Sequence, residues 1–410
     1  MNILFINRAQ AIRFLKTFLV IRFLKKSLYN QKLYKLIFNI LTRKLFNLKI
    51  VSRKELASNS VEYCSLLFGV QETIITKNLI NIDLLNIDYI PEALQPSINQ
   101  VIKLKQPFVS ELKNAQLVGP TAAVFDKDRQ IIEESLPSIH DLPLRAFIAQ
   151  KLLSRNTPHL DTVCSLVNAA NHVYGHWITD CLMRLEGLEH YQNITGRKPI
   201  LIINHNLRSW QIDSLKILGY EPNDYIQWTY NLNGLNAARL VVPSFRRQGT
   251  WIEPSACHWL RQRMLSNLPT IEKQEFPFSR RIYISRKKEL GRSVINEDEV
   301  MEVLHPLGFV SYTLETMNFA EEMRLFSQAE IIIGTHGSGL TNMIFSQNRP
   351  TIIDFFGAWY TNWFFNLSAS LGFHYTSFKC QPSGETFKLT RGNMVVDAVQ
   401  LKQLVGKLIS

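Results

Sequence analysis

The stretch Ala329-Glu330-Ile331-Ile332-Ile333-Gly334-Thr335-His336-Gly337-Ser338-Gly339-Leu340-Thr341-Asn342 decides how this chain is read. Three isoleucines in a row predict a buried strand over Ile331–Ile333. Gly334, Gly337 and Gly339 predict a turn, and Gly339–Phe345 reads as a helix. Glycines let backbone approach a ligand closely, and a helix N-terminus offers free N–H groups and partial positive charge. The segment His336, Gly337, Ser338, Gly339, Leu340, Thr341, Asn342 is therefore a candidate diphosphate site, with His336 placed to bond a phosphate or a sugar. It is not a P-loop, because no Lys-Ser/Thr pair follows. Nor is it a Rossmann fingerprint, because Asn342 stands where a third glycine belongs. The alternative is a tight strand-to-helix turn holding a packed histidine.

Working outward, strands alternate with helices, the pattern of a parallel α/β sheet. Arg281–Ser285, Phe309–Tyr312 and Thr351–Phe355 read as strands. Helices are expected from an Asn296 cap to His305, over Phe319–Gln328 and over Asp397–Leu408. Before them, strands are expected at Leu160–Val167, Pro199–Ile203 and Arg239–Val242. Tyr174–Tyr191, Ser209–Leu218 and Glu253–Leu268 read as helices. Pro269–Ser279 reads as a linker, and residues 55–115 resist placement. The expected organisation is an arm over 1–54, a first α/β domain over 55–270 and a second α/β domain over 271–410.

Chemistry-bearing residues cluster at strand ends. Arg281-Ile282-Tyr283-Ile284-Ser285-Arg286-Lys287-Lys288, with Arg292 beyond, ends a strand in a cationic loop. Open α/β sheets bind ligands outside the carboxyl ends of their strands. Arg286 and Arg292 are thus candidates to clamp phosphate oxygens in place of a metal. Asp354 ends a strand and is placed to accept from ribose hydroxyls; a helix cap is the alternative. The aromatics from Phe355 to Phe365 read first as core and second as sugar-stacking surfaces. His176 and Asp180, four apart on a predicted helix, share a face. From spacing alone they read first as a buried histidine satisfied by a carboxylate. Alternatively, the carboxylate raises the basicity of an imidazole that deprotonates a hydroxyl. Asp126-Lys127-Asp128 looks like a metal-binding D-x-D but sits in a predicted hairpin, where aspartate serves the backbone.

The chain has 410 residues, 46% apolar and 20% charged, which excludes disordered, collagenous and disulfide-scaffold classes. Its net charge of +12 is uneven. Residues 1–54 hold 13 of the 46 Lys and Arg and no acid, leaving 33 basic against 34 acidic residues elsewhere. A near-neutral body without a recognition motif argues against nucleic acid. The arm mixes apolar residues with cations, and Arg22, Lys25, Lys26, Lys32, Arg43 and Lys44 share a helical face. Its apolar runs are too short to be expected to form a membrane span or the core of a signal peptide. An amphipathic helix on an anionic membrane surface is expected, with a helical hairpin packed on the body as the alternative. Five scattered cysteines without a C-x-x-C fit reduced thiols in a cytoplasmic compartment.

Together these segments resemble glycosyltransferase family 61. Gly334-Thr335-His336-Gly337-Ser338-Gly339-Leu340-Thr341-Asn342 is similar to the family's G-x-H-G-A/S-G-L-T-N. Tyr283-Ile284-Ser285-Arg286, Arg292 and Asn296-Glu297 resemble its Y-I-S-R…R…N-E. Tyr174-Gly175-His176-Trp177, Asp180 and Arg184 resemble its N-Y-x-H-W…D/E…R. Val173 departs from the family's usual Asn, and Asp354 stands where Glu is usual. The resemblance implies a GT-B-like fold, with two Rossmann-like domains facing across a cleft. It also implies inverting transfer, without an essential metal, from a UDP-linked or other nucleotide sugar. The expected acceptor is a growing surface or capsular glycan, lipid-linked at the inner face of the membrane. The alternative is a non-catalytic nucleotide- or glycan-binding protein on the same fold. No separate cofactor is expected.

Overall fold

The computed structural model describes residues 49–58, 63–75, 101–136, 157–229, 234–268, 278–287, 291–383 and 392–410. Residues 1–48 of the predicted arm, Lys288 and residues 269–277 of the predicted linker lie outside the described residues. The structure is mixed α/β, built on two main sheets.

The first sheet has nine strands. Its parallel part runs Tyr225–Trp228, Ile200–Asn204, His159–Ser165, Leu235–Pro243 in spatial order. Strand order therefore reverses between His159–Ser165 and Leu235–Pro243. Beyond Leu235–Pro243 the sheet turns antiparallel through the long strand Phe108–Val118, which starts within the stretch that resisted placement. Ile50–Val51 pairs with Ile131–Ile132 at the far edge, so the sheet begins at Ile50, inside the stretch assigned to the arm. Ser52 then caps the short helix Arg53–Ala57 with a reciprocal Glu55 bond.

The second sheet is wholly parallel, in the order Phe309–Tyr312, Arg281–Ile284, Ile331–Thr335, Thr351–Phe356, His374–Lys379. Its central strands are buried on both faces, which is why Ile331–Ile333 reads as an unbroken apolar run. Here order reverses between Arg281–Ile284 and Ile331–Thr335. Chain leaving these two strands departs to opposite sides and opens a crevice at their carboxyl ends.

Three local expectations are corrected. Asn296 does not cap the helix Glu297–Leu304; its side chain bonds Val396 in both directions and reaches Glu299. The bonds to a distant strand end satisfy it better than a cap bond would. Ser338–Phe345 is a tight 3-10 helix, not an α-helix. Tyr174–Tyr191 is not one uniform α-helix either: Trp177–Cys181 is a π turn and Leu182–Arg184 a 3-10 turn before the α-helix Leu185–Thr195.

One continuous cluster of buried side chains joins the two halves. It includes Leu201 and Ile203 of the first sheet, Leu260 and Met264 of the helix Pro254–Ser266, and Ile332, Met343 and Ile352 of the second half. Polar bonds cross the same seam: Arg261 Nε to the Ile344 carbonyl at 2.6 Å, and Asn366 Nδ2 to Thr250 Oγ1 at 2.7 Å.

Candidate active site

A cavity of about 290 Å³ lies at the reversal point of the second sheet. Its floor is Ser285 and Arg286 after one strand, and Thr335, Gly337, Ser338, Gly339 and Leu340 after the next. Arg292, in left-handed backbone (φ 58°), curls back so that its Nη1 donates to the His336 carbonyl. Gly337 is extended and needs no glycine for its torsions. A Cβ there would stand 2.9 Å from Arg286 Nη1, so a side chain at this position would displace that guanidinium. Gly339 is equally tight, with a Cβ falling 2.8 Å from Leu314 Cδ1. Two guanidinium groups are thus packed against bare backbone. Thr335 Oγ1 is buried on the cavity wall and has no hydrogen-bond partner among the described residues. Such a donor left unmade is costly unless a ligand meets it.

The first half supplies the opposite wall, through His172, Val173, Tyr174, Arg208 and Trp210. Tyr174 reaches across: its hydroxyl donates to Asn342 Oδ1 at 2.5 Å, and Asn342 Nδ2 donates to Glu322 Oε2 at 2.7 Å. Gly175 lies against the same turn, where a Cβ would stand 2.8 Å from Thr341 Oγ1. Of the expected phosphate segment, Gly337–Leu340 line the cavity, while Asn342 and Thr341 meet the other half. Burial pushes the Glu322 carboxyl up to about 7, against the opposing hydrogen bonds of Asn342 and Tyr174.

His336 and Asp354 are placed differently from the sequence expectation. His336 is 3% exposed, with Nδ1 2.7 Å from Asp354 Oδ2 and Nε2 2.9 Å from Thr361 Oγ1. Asp354 is fully buried, and the same oxygen accepts from the Tyr375 hydroxyl at 2.8 Å. The His336 ring is therefore committed within the protein, and neither side chain lines the cavity. The reason is the aromatic bed behind the turn: half-buried Trp359 and Tyr360 and buried Phe364 surround the imidazole at 4.8 to 5.3 Å.

His176 and Asp180 meet as their spacing predicts, Nδ1 to Oδ2 at 2.9 Å. The π turn widens the helix at this point, a distortion that recurs at functional sites. Asp180 is buried, whereas the His176 side chain is 34% exposed. Burial raises the Asp180 pKa, but His176 and Arg247 outweigh it and hold the carboxyl down at about 2. Arg247 grips it with Nε to Oδ1 at 2.5 Å and Nη2 to Oδ2 at 3.2 Å. These side chains collect at the reversal point of the first sheet, because Asn168 follows His159–Ser165 and Arg247 follows Leu235–Pro243. Asn168 Nδ2 also faces Asp180, at 3.5 Å.

Sequence reasoning missed Arg208, Trp210, Arg247 and Glu322. Arg247 lay just past a predicted strand end, the one signal that would have flagged it. Asp126 Oδ1 accepts from the backbone of Asp128 and Gln130, so Asp126-Lys127-Asp128 closes a turn. Among the described residues no group of three or more His, Cys, Asp or Glu is placed to hold a metal.

Residues 174–353 match the family model described as Glycosyltransferase 61. The EGF domain-specific O-linked N-acetylglucosamine transferase of Gallus gallus is 23% identical over 104 residues, 24% of this chain and 19% of that protein. The protein of the same name from Drosophila melanogaster is 30% identical over 102 residues, again 24% of this chain and 19% of the relative. The match thus spans about a fifth of these relatives' length. Among solved structures, the iron-containing dodecameric glycosyltransferase TibC of enterotoxigenic E. coli aligns over 77% of this chain and 89% of its own, at 12% identity and a TM-score of 0.27. The stretch that carries the cavity turn, Arg286, Arg292 and the His176–Asp180 pair is thus the part of the chain that matches the glycosyltransferase 61 family model, residues 174–353.

Proposed function

We propose that the chain transfers a sugar from a nucleotide-sugar donor to a hydroxyl group, with inversion at the anomeric carbon, on a GT-B-like frame of two α/β halves. One observation carries this reading. A single cavity is bounded by Arg286, Arg292 and the Gly337–Gly339 turn on one side and by Tyr174 on the other; His176, two residues further on, stands outside its lining. The guanidinium groups and the turn's amides hold the donor diphosphate. His176 Nε2 takes the proton of the acceptor hydroxyl. The acceptor oxygen then attacks the anomeric carbon from the face opposite the diphosphate, and the bond to the leaving oxygen breaks. Charge growing on the nucleoside diphosphate is met by groups already in place. Asp180, buried and ionised, orients the imidazole and does not itself reach the acceptor.

His336 and Asp354 support the turn from behind in this reading. The curated relatives are named for N-acetylglucosamine transfer, which makes UDP-N-acetylglucosamine the first donor to test. The acceptor we assign is a growing surface or capsular glycan, with the cationic N-terminal arm resting on an anionic inner membrane face. Among the described residues no helix is long and apolar enough to cross a membrane.

The deciding experiment incubates the full chain with UDP-, GDP- and ADP-linked sugars and measures nucleoside diphosphate release. Release from one donor, stimulated by a glycan acceptor, supports transfer. Nucleotide binding without release from any donor would turn the reading toward a binding protein. For the arm, flotation with phosphatidylserine vesicles should retain the full chain and lose one starting near Lys49, which keeps the first strand Ile50–Val51.

A further inference from the structure

Trp363 stands where the two halves meet beside the imidazole. It opens the helix Trp363–Leu371, which follows the Thr351–Phe356 strand of the second sheet. Its indole meets the His176 ring edge to face, with centroids 5.3 Å apart and planes at 66°. The Arg247 guanidinium lies over the same indole, 5.7 Å from the ring centroid. Arg247 grips Asp180, and Asp180 holds His176 Nδ1. Four side chains therefore close a ring: His176, Asp180, Arg247 and Trp363. Three come from the first half and the fourth from the second.

Each contact restrains a different freedom of the imidazole. A carboxylate accepts but cannot donate, so an ionised Asp180 requires the proton on Nδ1 and, in the neutral ring, leaves the lone pair on Nε2. That bond does not stop the ring from tilting about its own axis; an edge-to-face indole does. The backbone that carries the indole is tied toward His336. Thr361 Oγ1 accepts from the Trp363 amide at 3.4 Å and meets His336 Nε2 at 2.9 Å.

We propose that Trp363 and Arg247 are positioning residues for His176, so that the base is aligned only while the second half is seated against the first. This rests on the reading of His176 as the base, and the test separates the two. Diethyl pyrocarbonate acylates the unprotonated imidazole, and mass spectrometry of the peptide bearing His176 reads its rate against pH in the full chain. Asp180 and Arg247 are the charged groups that face this ring. Trp363→Leu, which keeps apolar bulk in the helix, should raise the rate about threefold by uncovering the ring, and Trp363→Phe should restore it. Arg247→Met should likewise raise the rate about threefold, because Asp180 then loses the two guanidinium bonds that fix it and the ring it holds is freed. Arg247→Lys should bring it most of the way back. UDP affinity by calorimetry should stay unchanged, since neither residue lines the cavity.

Wild-type rates in both Trp363→Leu and Arg247→Met would overturn the proposal. So would a loss of UDP affinity in step with the histidine change, which marks general loss of the fold. If the histidine signals move as expected while His176→Ala still turns over donor normally, the positioning stands and the assignment of the base falls.

Discussion

The Tyr174 hydroxyl donates to Asn342 Oδ1 at 2.5 Å across 168 positions of chain, and this bond ties the two halves together at the wall of the cavity. Asn342 is fully buried, and its amide is held by Glu322. Tyr174→Phe would leave the Asn342 oxygen buried without its donor. The expected cost is about 1–3 kcal/mol, read as a lower urea midpoint with an unchanged slope. A midpoint equal to wild type would mean that the bond contributes nothing to the seam.

Glu322 makes stability depend on pH. Its carboxyl is raised from the ordinary 4.5 to about 7 in the fold, by burial first, with Asn342 and Tyr174 opposing. A raised carboxyl binds its proton more tightly in the folded state. Its contribution is thus complete below about 4.5 and lost as pH rises through about 7. The swing is on the order of 3 kcal/mol. Glu322→Gln should flatten the unfolding free energy between pH 5 and 8; a variant that keeps the wild-type slope would contradict this environment.

His176→Ala should lower donor turnover by about 10²–10⁴, the usual worth of a general base, while UDP binding by calorimetry stays at the wild-type level. Near-normal turnover would remove His176 from the chemistry.

Asp180 acts in the opposite sense to Glu322. Its carboxyl is depressed from 3.8 to about 2: burial raises it, and bonds to His176 and Arg247 outweigh burial. The stability it supplies is present above about 4 and is lost as pH falls toward 2, a swing of about 2 kcal/mol. At pH 7, Asp180→Asn should cost about 3 kcal/mol, because Arg247 is left nearly buried without its counter-charge. Denaturant unfolding at pH 7 and at pH 3 gives both numbers. A difference between variant and wild type that does not shrink at the lower pH would refute the linkage.

Arg286→Ala should weaken UDP binding about tenfold or more, the range of one hydrogen bond to a charged group, and should flatten the dependence of affinity on salt. Unchanged affinity would take Arg286 out of the diphosphate site.

Much of the frame was legible because its signals are local. The Ile331–Ile333 run, the Phe309–Tyr312 strand and the Ser209–Ile217 helix announce themselves by period and flanking residues. Spacing alone brought His176 beside Asp180. The helix Trp363–Leu371 was hidden, since an aromatic cluster reads as core whatever its backbone. The π turn was hidden too, because the same residues satisfy an i,i+4 pattern with or without an extra residue in the turn.

The sequence by itself determined the alternation of strands and helices, the glycine turn after Ile333 and the pairing of His176 with Asp180. Each depends on neighbours within a few positions, where chain geometry leaves little choice. Only the tertiary structure decided that His336 and Asp354 sit behind the cavity, while Arg208 and Trp210 face into it. It alone brought Arg247 onto Asp180 across 67 positions, and Trp363 onto His176. Those outcomes follow from how two sheets settle on a shared apolar seam, and burial at such a seam is a sum over distant residues that no local pattern encodes.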